Sequence, residues 1–186
     1  SDVCSSDLDG ITATRYHAGL SDEERRNNQD DFIYDRCHVM VATNAFGMGI
    51  DKSDVRYVIH YNMPKNMEGY YQEAGRAGRD GDPAECILLY SGKDVVTNQY
   101  LIERGQDNQE MDMETWRLVR DRDQERLKQM TFYCFTHDCL REYILKYFGE
   151  YGKSYCGNCL NCQTEFEEQD VTEEAQAMVQ CVKESG

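Results

Sequence analysis

Short apolar runs alternate with helix-like segments over the first half of this chain, and this alternation limits the fold to few classes. The capping-box spacing of Ser21 and Glu24 predicts a helix after the first run, and Asn66 is predicted to cap another that ends at Gly75. Strands that alternate with helices in this way are typical of an α/β fold with a parallel sheet. The runs, which have the composition of buried strands, lie at 11–16, 39–42, 57–61 and 86–90.

The second half of the chain consists of charged helical segments without a strand signal. Helices are predicted at about 94–103, 113–133 and 137–147, before a segment rich in glycine and cysteine at 149–162. We therefore predict an α/β lobe over residues 9–92 and a helical subdomain over residues 93–163.

The two ends of the chain are expected to depart from this plan. Residues 1–8 are small and acidic and have no structural period, so we interpret them as a foreign leader or a disordered terminus. At the other end, Met178, Val179 and Val182 share one face of a predicted helix that nothing else in the sequence is made to cover. We therefore expect residues 164–186 to begin a further, truncated domain.

The charge of the chain is strongly negative but unevenly distributed. The formal net charge of −15 over 186 residues opposes a polyanionic ligand as a whole. Residues 117–146 nevertheless hold seven basic residues against five acids, so a basic face is compatible with the composition. No apolar run reaches the roughly 20 residues of a membrane span and no secretory signal opens the chain. We therefore expect a soluble intracellular protein.

Four of the nine cysteines have the spacing of a metal site. Cys156, Cys159 and Cys162 follow one another at two-residue gaps, which lets three thiolates converge on one ion. The fourth ligand is predicted to be Cys139, with Cys134 as the alternative. Four thiolates close a tetrahedral zinc site and leave no open position for water, so the zinc is expected to be structural.

The stretch from Gln72 to Gly81 places Arg76 and Arg79 three residues apart among three glycines. Arginine carries a permanent charge in a planar fork that matches phosphate oxygens, and glycine allows the backbone to approach closely. The stretch therefore favours a polyphosphate site. The alternative is a solvated basic turn that closes a helix.

A second candidate site follows the strand at 39–42. Ligands of open α/β sheets bind at the carboxyl ends of strands, where Thr43 and the amides near Gly47 could hold a nucleic-acid phosphate. Asp51 could accept a hydrogen bond from a ribose hydroxyl. Taken without context, Thr43 is better explained as a helix or turn cap, and Asp51 as a cap or an ion-pair partner.

Taken together, these residues resemble the RecQ family of DNA helicases. The arginine stretch alone indicates only a superfamily 2 helicase. The sequence of the loop at 42–51, together with the four-cysteine module, narrows the resemblance to RecQ. The match covers about residues 9–183. The segments that carry it are 16–20, 42–51, 55–60, 70–81 and 147–150 with the cysteines that follow.

The resemblance implies a fold and a set of residue roles. The fold is α/β, with a RecA-like parallel-sheet lobe, the second of the motor, followed by a helical Cys4 zinc-binding subdomain and the opening of a winged-helix domain. Arg76 and Arg79 match the arginine-finger motif and Gln72 its leading glutamine. By the same match, Asp51 would approach the nucleotide ribose. The residues that would face single-stranded DNA are Thr43, Phe46 and Gly47.

The resemblance also implies an ATP-dependent 3′ to 5′ DNA helicase of repair and recombination, with ATP and Mg²⁺ bound between two lobes. The expected partners are single-stranded and forked DNA, with no membrane, in the nucleoid of a bacterium or the nucleus of a eukaryote. Neither a Gly-x-x-x-x-Gly-Lys-[Ser/Thr] motif nor Asp-Glu-x-His occurs in the sequence, so the first lobe is expected to be absent. The alternative is a non-enzymatic, zinc-dependent DNA-binding or scaffold module. An RNA helicase of the same superfamily is disfavoured by the cysteines.

Overall fold

The residues that the structure describes form four short strands and seven helices. In the computed structural model, residues 10–43, 52–105, 112–167 and 169–185 are described. Within these ranges the elements, in chain order, are β1 Ala13–Tyr16, α1 Asp22–Ile33, β2 Val39–Ala42, β3 Tyr57–His60, α2 Met67–Ala74, β4 Glu85–Leu88, α3 Gly92–Arg104, α4 Met113–Phe135, α5 Leu140–Tyr147, α6 Leu160–Gln163 and α7 Thr172–Ser185.

The predicted helix starts are confirmed. The Ser21 hydroxyl accepts from the Glu24 amide at 3.2 Å, and the Glu24 carboxylate accepts from the Ser21 amide at 3.0 Å, so α1 begins with a complete capping box. Asn66 caps α2 by accepting from the Gly69 amide at 2.8 Å, and Gly75 follows the last helical residue. These ends form as predicted because each depends on partners within one turn of the helix.

The strands pair in parallel, as the alternation predicts, but in two separate pairs. β1 lies beside β2 and β3 beside β4, with Tyr16 opposite Ala42 and His60 opposite Leu88. The prediction of buried strands is wrong for several side chains, since Val41 is 48% and Ile59 is 60% exposed. The side chains of a strand point to the two faces of the sheet, so they are buried only where a helix or another segment covers that face. On β1 that helix is α1.

The chain divides into two compact units between Thr131 and Phe132, within α4. The first unit contains all four strands together with α1, α2, α3 and most of α4. The second contains the end of α4 and the helices α5, α6 and α7. Buried apolar side chains of the first unit come mainly from helices and the loop after β3; they are Leu20, Met63, Met67, Tyr70, Ile102, Leu127 and Met130. None of the helices described here combines the length and the low charge that a bilayer-spanning helix needs.

A buried polar cluster joins α3 to the loop after β3. Asp94 is 9% exposed, and its carboxylate accepts from the Asn62 side-chain amide at 3.1 Å and from the Met63 backbone amide at 3.3 Å. The Asn98 amide donates to the Met63 carbonyl at 3.1 Å. These bonds satisfy the backbone of a buried loop, which explains why α3 belongs to the same compact unit as the strands.

We expect Asp94→Ala to destabilise the first unit by about 2 kcal/mol, because it leaves the Met63 backbone amide buried without an acceptor. The measurement is the free energy of unfolding from urea titration followed by circular dichroism. Glu103→Ala, which removes an exposed acid from the same helix, is the control and should change stability by less than about 0.5 kcal/mol. Equal unfolding midpoints for the two variants would contradict the structural role of Asp94.

Candidate functional site: an arginine loop and a four-cysteine centre

Residues 75–81, here called the arginine loop, run from the end of α2 towards β4. The backbone of this loop is held by the segment that leads into β3. The Gly78 amide donates to the Val55 carbonyl at 3.0 Å, and the Asp80 amide donates to the Ser53 carbonyl at 3.2 Å. The backbone of the loop therefore has a defined path.

Gly78 is required by this path for two reasons. Its φ is +63°, a left-handed conformation that side chains with a Cβ rarely adopt. A Cβ at this position would also lie 2.9 Å from the Asp82 carbonyl oxygen, which is too close for a carbon atom. The glycine pattern in the sequence thus reflects a tight turn between the two arginines.

Arg56, immediately before β3, anchors the far end of the loop. Its guanidinium group pairs with the Asp80 carboxylate and donates to the Pro83 carbonyl at 3.3 Å. Partial burial raises the pKa of the Asp80 carboxyl, but the hydrogen bonds from Arg56 and from the Asp82 amide outweigh it, and the net effect lowers this pKa. Asp80 is therefore ionised at neutral pH and keeps the pair with Arg56.

His60, at the end of β3, anchors the near end of the loop. Its Nε2 lies 2.8 Å from an oxygen of Glu73, in the last turn of α2. The imidazole is only 8% exposed and contacts the Tyr70 ring at a centroid distance of 5.1 Å. The contact between His60 and Glu73 therefore links the end of β3 to the last turn of α2. The arginine loop is consequently fixed at both ends.

The predicted nucleotide-binding residues lie in different surroundings. Arg79 is exposed, and its Nε donates to the Gly75 carbonyl at 3.1 Å, whereas Arg76 is half-buried. Gln72 is exposed on α2. The structure therefore groups Gln72, Arg76 and Arg79 on one short stretch and supplies a frame for it.

The residues predicted to face DNA are only partly described. Thr43 is exposed and directly follows β2, where its amide donates to the Tyr16 carbonyl at 3.1 Å. Phe46, Gly47 and Asp51 lie outside the described residues, so their predicted roles stay predictions. Thr43 is placed at the carboxyl end of a parallel strand, as the sequence predicts.

The second unit brings four cysteines together. Cys139 is 4% exposed and precedes α5, while Cys159 precedes α6. All four sulfur atoms lie within 4.8 Å of one another, and both the Cys156–Cys162 and the Cys139–Cys159 sulfur pairs are 3.9 Å apart. A tetrahedral ion with Zn–S bonds of about 2.3 Å would separate its sulfurs by about 3.8 Å. The donor set and its spacing therefore fit zinc, with Cys139 as the fourth ligand rather than Cys134.

The surroundings of Cys156 and Cys159 favour the thiolate form that binds zinc, because they lower the pKa of these two thiols. Burial raises the pKa of each knuckle thiol, but the amides of Asn158 and Cys159, which donate to the Cys156 sulfur at 3.4 and 3.3 Å, give that thiol a lowered pKa. At Cys159, burial is outweighed by the amides of Cys162 and Leu140, and the pKa falls to about 6. Burial prevails at Cys162 and raises its pKa to about 11. Because four thiolates complete the tetrahedral coordination of zinc, the ion is a structural cross-link at this site and has no open position for water.

Sequence reasoning missed the residues that frame the arginine loop. Arg56 meets Asp80 across 24 positions and His60 meets Glu73 across 13, so no local spacing reveals either pair. The available signal is that His60 is a polar residue within the otherwise apolar run at 57–61. Both pairs support residues that sequence reasoning did find.

The parallel-stranded unit with its arginine loop and the helical unit with its four cysteines define a helicase carboxyl-terminal lobe joined to a zinc module. Residues 2–81 match the helicase conserved C-terminal domain, and residues 92–163 match the RecQ zinc-binding family. The chain belongs to the RecQ family.

Relatives support the same assignment. The chain is 47% identical over 172 residues to the ATP-dependent DNA helicase RecQ of Bacillus subtilis, covering 92% of this chain and 28% of that protein. It is 41% identical over 181 residues to the ATP-dependent helicase SGS1 of Saccharomyces cerevisiae, covering 94% and 12%. For the RecQ-like DNA helicase BLM of Xenopus laevis the identity is 40% over 189 residues, covering 95% and 13%. The chain thus spans less than a third of the length of these relatives.

Proposed function

We propose that the protein is an ATP-dependent DNA helicase of RecQ type, in which this chain supplies one wall of the ATP site. The observation that carries the proposal is the arginine loop, which holds two arginines on a backbone anchored at both ends. A preorganised guanidinium group stabilises charge that develops on a transferred phosphoryl group without needing to reorganise at the moment of reaction.

In this proposal, Arg79 and Arg76 contact the phosphates, Gln72 adjoins them and Asp51 approaches the ribose. The P-loop lysine and the Mg²⁺ ligands come from a first lobe whose motifs this sequence does not contain. Arg79 is exposed and can reach a nucleotide held by another part of the protein. Hydrolysis between two lobes would then drive their relative movement.

We further propose that single-stranded and forked DNA are the substrates, and that Thr43, Phe46 and Gly47 contact the strand. The relatives named as DNA helicases support DNA as the polymer, and the exposed position of Thr43 after β2 supports access to it. Movement would run from 3′ to 5′ during repair and recombination, in the nucleoid of a bacterium or the nucleus of a eukaryote.

The test is to measure ATP hydrolysis and unwinding by the complete protein. We expect single-stranded DNA to stimulate hydrolysis more than RNA of equal length and sequence does. Duplexes with a 3′ tail and forked duplexes should be unwound, whereas duplexes with only a 5′ tail should not. Unwinding from the 5′ tail alone would refute the proposed polarity. DNA binding without hydrolysis would instead support the non-enzymatic scaffold.

A further inference from the structure

Asn161 lies inside the cysteine knuckle, residues 156–162, and its side chain contacts another segment of the chain. Its side-chain nitrogen donates to the Thr136 carbonyl at 2.6 Å and to the Asp138 carbonyl at 2.8 Å. Both N–H groups of one amide are thus used, and both acceptors belong to the turn between α4 and α5. This turn ends at Cys139.

The turn is the part of the zinc site that local spacing does not position. Cys156, Cys159 and Cys162 lie within seven residues of one another, so the fold of the knuckle alone brings their sulfurs together. Cys139 lies 20 positions before Cys159 in the sequence. Its sulfur meets the others only if the turn is held against the knuckle.

The turn is also contacted by the segment that follows the knuckle. Besides the two Asn161 bonds, the His137 ring meets the Phe166 ring edge-on at a centroid distance of 4.9 Å. Within the turn, the Asp138 amide donates to the Thr136 hydroxyl at 3.1 Å. The two Asn161 bonds come from the residue next to Cys162, so they join the turn directly to the knuckle.

We propose that Asn161 is a positioning residue of the zinc site, which holds Cys139 in place as the fourth ligand. Its two bonds are independent of the metal, so they place the Cys139 sulfur before zinc arrives and resist its departure afterwards. Residues that orient metal ligands in this way typically change metal affinity 10- to 100-fold when they are replaced. The inference depends on zinc binding and is independent of any helicase activity.

An asparagine suits this position because two carbonyl oxygens require two donors. Aspartate has nearly the same shape but only acceptor oxygens when ionised, so Asn161→Asp would oppose both carbonyls. Alanine would remove the donors without adding repulsion. The two variants therefore separate the loss of the bonds from an added electrostatic cost.

The experiment uses the 186-residue chain loaded with zinc, and measures release to the colorimetric chelator 4-(2-pyridylazo)resorcinol. We expect zinc to leave Asn161→Ala about 10- to 100-fold faster than the unaltered protein, and to leave Asn161→Asp at least as fast. The matched control is Asn158→Ala in the same knuckle. Asn158 is exposed and contacts Cys156 through its backbone amide, which alanine keeps, so release should be unchanged.

A second measurement separates positioning from general destabilisation. The zinc-loaded proteins are treated briefly with N-ethylmaleimide and the modified cysteines are identified by mass spectrometry. We expect Asn161→Ala to expose Cys139 to modification before the three knuckle cysteines. Release at the same rate as from Asn158→Ala, or equal modification of all four cysteines, would overturn the proposal. If Asn161→Ala took up no zinc, recovery of zinc binding by Asn161→Gln, which restores the two donors, would support it, and failure of that recovery would count against it.

Discussion

Replacement of Arg79 by alanine in the complete protein is expected to reduce ATP turnover by roughly 10³-fold or more, because it removes the positive charge that we propose faces the transferred phosphoryl group. Affinity for single-stranded DNA should be unchanged, since the residues proposed to contact DNA lie elsewhere. The loop itself should survive the loss of the bond from Arg79 to the Gly75 carbonyl, because the Gly78 and Asp80 amides still hold its backbone. Steady-state ATPase assays with saturating DNA, together with DNA-binding titrations, measure both effects.

Two further variants sharpen this result. Arg79→Lys keeps a positive charge but loses the planar fork, so we expect it to recover only part of the lost turnover. Arg26→Ala removes an exposed arginine from α1 and should leave turnover unchanged. An Arg79→Ala protein that hydrolysed ATP at the unaltered rate would exclude the finger role, while the zinc site and the inference about Asn161 would stand.

Removal of zinc is expected to unfold the second unit. Among the described residues of this unit only Tyr133 and Cys139 are buried apolar side chains, so the unit has little core of its own. Zinc binding to small folded modules supplies about 10 to 16 kcal/mol, which here would hold α5 and α6 in place. Chelation with EDTA under reducing conditions should therefore lower the helical signal in circular dichroism, and re-addition of zinc should restore it.

Single-cysteine variants test the same prediction without a chelator. Cys159→Ser removes a ligand from the centre of the cluster and should abolish stoichiometric zinc binding, measured by inductively coupled plasma mass spectrometry. Cys181→Ser replaces an exposed cysteine on α7 outside the cluster and should retain about one zinc per chain. A Cys159→Ser protein that kept both its zinc and its helical content would show that the four cysteines are not the ligand set.

Much of this architecture could be predicted from the sequence because the interactions that specify it are local. Residues three positions apart form the capping box of Ser21 and Glu24 and the Asn66 cap. Successive cysteines of the knuckle have the same separation. The parallel pairing of strands followed from their alternation with helices. The residue types of the arginine stretch and of the knuckle likewise indicate phosphate and zinc through their chemistry alone.

Only the tertiary structure decided how these pieces are supported. It brings Cys139 rather than Cys134 to the cluster, and it shows that the strands form exposed pairs. It also reveals that Arg56 and His60 support the arginine loop and that Asn161 contacts the turn before Cys139. Each of these partners meets its target across 13 to 25 positions. Contacts at such separations depend on the path of the whole chain rather than on residue spacing. For this reason the sequence by itself determined which chemical groups the protein carries, and the fold determined which of them are held in place.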